Sequence, residues 1–203
     1  VIFTGSASEA NNLALRGVVR RYLEETSRRR ATLVAAPRPP RIIVSTIEHD
    51  SVLETARDLD RRGEAEIVSL PVDREGVVRL ERLVPLLDEH TVLVSVIYGS
   101  NEVGSIQPIR EIAELLRARR APGARYPLLH TDAAQAFTYL PCRLEELGTD
   151  LLTLSAHKAR GPKGVGALIL RLDGTPPKTL LAPLITGGGQ EYGLRAGSEN
   201  VAY

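Results

Sequence analysis

The 203-residue chain has no Met, no Trp, two Phe, one Cys and only three Lys. A lone cysteine, Cys142, excludes an internal disulfide, and such sparing use fits a reducing compartment. No apolar run approaches the ~18 residues that a bilayer-spanning helix needs. No charged and then apolar leader opens the chain, so no export signal is read. The expected location is the cytoplasm, or an organelle if a transit peptide precedes Val1. Charge of one sign is lacking too: 26 basic against 25 acidic side chains leave +1, which makes no general case for nucleic acid.

With 43% hydrophobic and 25% charged residues, the composition is that of one globular domain, long enough to bury a core without a structural metal. The basic residues are 23 Arg and three Lys: Lys158, Lys163 and Lys178. A GC-rich genome accounts for that bias. It also singles out the lysines that persist, because Lys can lose its proton and form an imine and Arg cannot. Two of them stand together in the segment from Ser155 to Gly164.

The chain opens on the apolar Val1-Ile2-Phe3 and closes on Val201-Ala202-Tyr203, which reads as a piece of a longer protein. Apolar spacing predicts a helix from Ser8 to about Glu25, and Ser27 to Arg41, rich in Arg and Pro, reads as an exposed loop. Strands are predicted at Arg41–Ser45, Glu66–Leu70, Val92–Ile97, Pro127–Thr131, Leu151–Leu154 and Gly166–Leu170. Helices are predicted at about Ser51–Arg62, Leu80–Asp88 and Ile109–Arg119. Short apolar strands alternating with amphipathic helices indicate an α/β domain whose mostly parallel central sheet carries helices on both faces. Ligands bind such sheets at the carboxyl ends of the strands.

The polar clusters fall at those ends. Gly5-Ser6-Ala7-Ser8-Glu9-Ala10-Asn11-Asn12 turns from a strand into a helix and suits a phosphate, though an ordinary helix cap would also account for it. It lacks the spacing of a dinucleotide or Walker loop. Glu48-His49 follows a second strand, and Asn101-Glu102-Val103-Gly104 a third, where turn formation alone also explains Asn and Gly. In His130-Thr131-Asp132-Ala133-Ala134-Gln135 a carboxylate closes a strand; a helix starting at Asp132 would put Asp132 and Gln135 on one face. A buried carboxylate needs a partner, and a protonated ring nitrogen is one candidate. Ser155-Ala156-His157-Lys158 then sets the lysine beside a hydroxyl and an imidazole, and a Gly-rich stretch runs from Gly187 to Asn200. Lysine for an imine, carboxylate for a pyridine nitrogen, and hydroxyls with N–H groups for a phosphate are the parts that pyridoxal phosphate requires.

These six segments, in this order, closely resemble the cysteine desulfurases of the NifS and IscS type, in the class V aminotransferase group. The resemblance runs through essentially the whole chain. It implies the large domain of a fold type I, aspartate aminotransferase-like enzyme over residues 1–203, with pyridoxal phosphate as cofactor and no metal. It further implies two catalytic residues: Lys158 holds the cofactor as an imine and shuttles protons, and His49 stacks on the ring and assists proton transfer. Asp132 would pair with the ring nitrogen, with Asn101 and Gln135 near the ring hydroxyl. Ala7, Ser8, Ser155 and His157 would bind the phosphate, and Ser198 would complete that site from the neighbouring subunit of a homodimer.

The implied activity is conversion of L-cysteine to L-alanine, with sulfur passed as a persulfide to an acceptor protein such as an iron-sulfur scaffold. Selenocysteine lyase shares the same cofactor residues. A catalytically incomplete module acting only in dimerisation or docking is a further alternative, and a nucleotide-binding domain ranks behind both. Ser8 and Ser198 stand where the family usually has Thr, and either hydroxyl can donate to phosphate. The family's persulfide-forming cysteine and substrate-carboxylate arginine lie far C-terminal to the imine lysine, beyond this chain. Cys142 does not match that position and is expected to be structural. With the dimer interface and the small domain exposed, the chain by itself is expected to be marginally stable and to bind cofactor weakly.

Overall fold

The computed structural model describes residues 1–29 and 38–201. Its seven strands are β1 (Ile2–Thr4), β2 (Arg41–Ser45), β3 (Glu66–Leu70), β4 (Thr91–Ser95), β5 (Leu128–Asp132), β6 (Leu151–Ser155) and β7 (Gly166–Leu170). They form one sheet in the order β1-β7-β6-β5-β4-β2-β3. The pairings from β3 through β6 are parallel, and β7 lies antiparallel to both β6 and β1. The expected mostly parallel α/β sheet is therefore present. Two successive reversals restore direction, so β1 ends at the same side of the sheet as β2, β4, β5 and β6. That side gathers every segment singled out above on chemical grounds.

Strand side chains alternate between two cores. Ile42 and Val44 of β2 pack with Leu13, Val18, Val52 and Leu59 of α1 (Ala7–Arg29) and α2 (Asp50–Arg61). Ile43, between them in sequence, packs on the other face with Val94, Leu129 and Leu152 and with Ile109, Ile112 and Leu116 of α4 (Ile109–Arg119).

Two elements depart from expectation, and one left open is settled. Helix α1 runs through Ser27 to Arg29, since Arg is a good helix former and nothing there breaks the turn; part of the expected loop, residues 30–37, lies outside the described residues. The helix expected over Leu80–Asp88 stops as α3 at Leu83 and tightens to a 3₁₀ turn over Val84–Leu86, where Pro85 has no N–H to continue the ladder. No helix starts at Asp132. Strand β5 includes Asp132, and the chain reaches only a 3₁₀ turn at Ala136–Thr138. A four-residue helix, α5, covers Leu144–Leu147 and ends at Gly148 in a left-handed conformation. Among the described residues no helix is long and apolar enough to cross a membrane.

Candidate active site at the carboxyl ends of the strands

A cavity of ≈ 220 Å³ opens at the carboxyl end of the sheet, lined by Ser6, Ala7, Ser8, His49, Asn101, Asp132, Gln135, Ser155, His157 and Lys158 among others. The sheet brings together nine of the ten residues singled out for cofactor binding. Ser198 lies apart, in a second cavity with Phe3, Gly164 and Arg195.

The first wall is the start of α1. The Ser6 side chain caps the helix by accepting from Glu9 N–H at 3.1 Å, and Glu9 Oε2 accepts from Gly5 N–H at 2.7 Å. The first-turn N–H groups of Ala7 and Ser8 have no carbonyl four residues back within the helix, so they are free to meet an anion, with the helix dipole behind them. The turn fits against β7 only because residue 166 is glycine: a Cβ there would lie 2.3 Å from the Ser6 carbonyl carbon.

The second wall is the turn after β6. Ser155 is buried at the strand's last position, and its hydroxyl meets His157 Nδ1 at 2.9 Å. The chain then makes a short 3₁₀ turn, Ala156–Ala159, and reverses through Arg160 at φ 61. This tight turn leaves Lys158 exposed at the cavity rather than in the core.

The floor is Asp132, 4% exposed. Its Oδ1 accepts from Ala134 N–H at 2.8 Å and its Oδ2 from Asn11 Nδ2 at 2.7 Å. Burial pushes this carboxyl above its usual range, against those two hydrogen bonds and the charges of His49 and Lys158. Beside it Glu48 is fully enclosed. Its Oε1 accepts from the Ser45 hydroxyl at 2.7 Å and from Ile97 N–H, while its Oε2 has no partner. Desolvation, reinforced by Asp132, pushes Glu48 up to about 8.

His49 caps α2. Its Nδ1 accepts from Ser51 N–H at 3.0 Å, and Ser51 Oγ lies 2.8 Å from the same nitrogen. Asn101 follows β4 in an exposed turn, and Gln135 precedes the 3₁₀ turn after β5. Asp132 and Gln135 thus meet through a turn closed by the Ala134–Asp132 bond, not along a helix face.

Asn11, Glu48 and Ser51 join the site without individual roles expected from the sequence. A signal existed for Asn11: it lies four residues before Leu15 and seven before Val18, on the apolar stripe of α1, where an amide must find a partner. Glu48 carried none, because its burial comes from the tertiary approach of Ile97 rather than from local pattern. Cys142 does not line the cavity. It packs against the α4 side of the sheet, and burial pushes its thiol up to about 11, the inert kind of cysteine.

The cavity fits pyridoxal phosphate on three observations. A buried carboxylate forms no ion pair among the described residues and faces a space that a cationic ring nitrogen can fill. Unused helix-start N–H groups and two hydroxyls suit a phosphate. A lysine stands at the rim. At ≈ 220 Å³ the space lies below the ~300 Å³ of common ligand pockets, enough for a single ring and its phosphate.

The profile of the family described as aminotransferase class-V matches residues 1–202. The chain is 40% identical to the cysteine desulfurase IscS of Dictyoglomus turgidum, over 100% of this chain and 45% of that protein. It is 41% identical to cysteine desulfurase IscS 1 of Archaeoglobus fulgidus, over 99% of this chain and 46% of that protein. It is also 41% identical to the mitochondrial cysteine desulfurase of Candida maltosa, over 98% and 36%. Among solved structures, a NifS-like protein superposes with a TM-score of 0.82 at 39% identity, covering 98% of this chain and 49% of that one. A structure of SspA in complex with cysteine gives 0.82 at 34% identity, covering 98% and 51%. The chain spans about half the length, or less, of these relatives. With the profile matching residues 1–202 of the chain on a mostly parallel sheet of the fold type I kind, the chain belongs to the class-V aminotransferase family, whose enzymes depend on pyridoxal phosphate.

Proposed function

We propose that this chain is the large cofactor domain of a pyridoxal-phosphate-dependent cysteine desulfurase, which takes L-cysteine and a protein thiol to L-alanine and a persulfide. One observation carries the reading: nine side chains scattered from Ala7 to Lys158 converge on a single cavity whose lysine, buried carboxylate and helix start match the three parts of that cofactor. Relatives named cysteine desulfurase, and a related structure described as holding cysteine, favour cysteine as the substrate.

Bound in this cavity, pyridoxal phosphate supplies an electron sink for the substrate's carbon skeleton. Everything else falls to the chain's own side chains and backbone N–H groups. Asp132, as a carboxylate, holds the ring nitrogen protonated. Ala7 and Ser8 N–H groups, with the Ser155 hydroxyl and His157, hold the phosphate. His49 would lie against the ring, and Asn101 and Gln135 would hold its hydroxyl. Lys158 would hold the cofactor covalently and would carry protons at the substrate carbons.

Sulfur is accepted by a cysteine in the part of the protein that this chain does not span, because Cys142 is half-buried, away from the cavity and held as the thiol. Ser198 serves the phosphate site of a second subunit. Exposed Val103, Ile106 and Tyr139 offer apolar surface for such a homodimer. An iron-sulfur scaffold or sulfur carrier takes the sulfur onward. The single cysteine fits a reducing compartment, the cytoplasm or an organelle.

The test is an absorption spectrum of the full-length protein with pyridoxal phosphate, followed by borohydride reduction and peptide mapping. Label on Lys158 is expected, and Lys158→Ala is expected to lose both the label and turnover, the latter by about 1,000-fold or more. A folded protein that takes no label at Lys158 would overturn the reading.

A further inference from the structure

Asp132 and His49 are joined by a continuous hydrogen-bonded bridge. Asn11 Nδ2 lies 2.7 Å from Asp132 Oδ2 and 2.8 Å from Ser51 Oγ, and Ser51 Oγ lies 2.8 Å from His49 Nδ1. The direction of every bond in the bridge follows from chemistry. A carboxylate only accepts, so the amide must turn its NH₂ toward Asp132, which leaves Asn11 Oδ1 buried and without a partner. The second amide hydrogen then points at Ser51 Oγ, which takes it on a lone pair. The Ser51 hydroxyl hydrogen is left to donate to His49 Nδ1. The backbone N–H of Ser51 donates to the same nitrogen at 3.0 Å. Nδ1 therefore faces two donors and carries no proton.

We propose that Asn11 and Ser51 are positioning residues that transmit the charge of Asp132 to His49, so that the imidazole enters the cavity as the Nε2–H tautomer, a hydrogen-bond donor rather than a base at Nε2. The cavity admits this, since His49 and Ser51 both line it while Asn11 is fully buried beneath. What meets the Nε2–H rests on the function proposed above: an electron-rich atom of the bound cofactor or of the substrate, with Lys158 left as the group that accepts protons. The tautomer itself does not depend on that reading.

The test is ¹⁵N NMR of the full-length apoprotein labelled at histidine, with the His49 signals assigned by their loss in His49→Gln. At a pH where the ring is neutral, the Nε2–H form is expected in roughly tenfold excess, the worth of about one net hydrogen bond. Ser51→Ala is expected to cut that excess several-fold and Ser51→Thr to restore it. Asn11→Ala, which frees the Ser51 hydroxyl to rotate, is expected to fall between. A mainly Nδ1–H ring in the wild type, or an unchanged ratio in Ser51→Ala, overturns the proposal. An unchanged ratio in Asn11→Ala also overturns it, by removing Asp132 from the bridge. Ser51 is only partly buried, so the test survives if Asn11→Ala fails to fold. Titration of the same samples with pyridoxal phosphate separates the two ideas: an Nε2–H ring in a protein that binds no cofactor upholds the bridge and overturns the proposed function.

Discussion

The two ends of the parallel strands treat charge in opposite ways. At the amino end three carboxylates, Glu66, Asp88 and Asp150, are held by arginines. Arg41, opening β2, pairs with Glu66 of β3 at 2.8 Å and with Asp88 at 2.9 Å, and Arg120 meets Asp150 ahead of β6. Glu66 and Asp88 are accordingly held below their usual range, by the Arg41 hydrogen bond in the first and, against desolvation, by Thr91 and the Arg41 charge in the second. At the carboxyl end Glu48 and Asp132 lie deeper, form no ion pair among the described residues and are both pushed up by burial. The contrast teaches where a ligand belongs. A fold tolerates strain from buried charge where binding relieves it, and it neutralises charge where nothing binds.

The strongest way to break this contrast is Asp132→Asn. On the proposed function, turnover of the full-length protein is expected to fall by roughly 100-fold or more, since a neutral amide could not hold a ring nitrogen protonated. Apoprotein stability is expected to stay level or rise by about 1 kcal/mol at neutral pH, because an unpaired buried charge is removed. Asn11 can absorb the change by flipping its amide, which turns its unpartnered Oδ1 toward residue 132. Urea unfolding of the apoprotein beside steady-state kinetics reads both signs. A loss of several kcal/mol would show that Asp132 is structural and that the two ends of the sheet do not differ as described.

Much of this arrangement is legible in the sequence, and what is not has a physical cause. The strands were visible because each is a short apolar run, and the clusters at their ends because residues such as Asp132 and Lys158 interrupt apolar or Arg-rich surroundings. The antiparallel placement of β1 and β7 was not visible. Nothing local in Ile2–Thr4 or Gly166–Leu170 records strand direction, which is set by how the chain returns. Whether the chain turns helical at Asp132 was left open by the sequence for a related reason: the i, i+3 spacing to Gln135 is served equally by a helix and by an Asx-type turn, and the Ala134 N–H bond to the carboxylate selects the turn. Glu48 and Asn11 escaped because their roles are tertiary, one closed in by Ile97 and the other by Asp132 and Ser51.

A second test sharpens the contrast through pH. Glu48 is raised from 4.5 to about 8, so between those values the unfolded chain has released a proton that the folded chain keeps. Its contribution to stability is whole below pH 4.5 and is lost as pH rises through about 8. His130, buried between Ser95 and Thr153, runs the other way. Burial lowers it from 6.5 to about 3, so stability is lost as pH falls below 6.5. From about pH 6.5 to 8 Glu48 is the one of the two still changing, and stability is expected to fall there by up to ~1.4 kcal/mol per pH unit. Glu48→Gln keeps an oxygen for Ser45 and Ile97 and is expected to flatten that slope. Asp132 acts with the same sign, and Asp132→Asn measures its share. A slope in Glu48→Gln equal to the wild type would place the titration elsewhere.

The smallest effect belongs to the amino end. Glu66→Gln removes one carboxylate from a network that also contains Arg38, Arg41 and Asp88, where Arg41 keeps its bond to Asp88 and to the Leu86 carbonyl. Because Glu66 is about one-third exposed, salt and water already screen it, and the expected loss is about 0.5–1 kcal/mol. Half or more of that loss should vanish at molar salt, where charges are screened within a few ångströms. Cofactor affinity of the full-length protein should not move, since this network lies at the far end of the strands from the cavity. A change in affinity as large as that of Asp132→Asn would mean that the two ends are coupled through the sheet, and the division of labour between paired and unpaired charge would have to be abandoned.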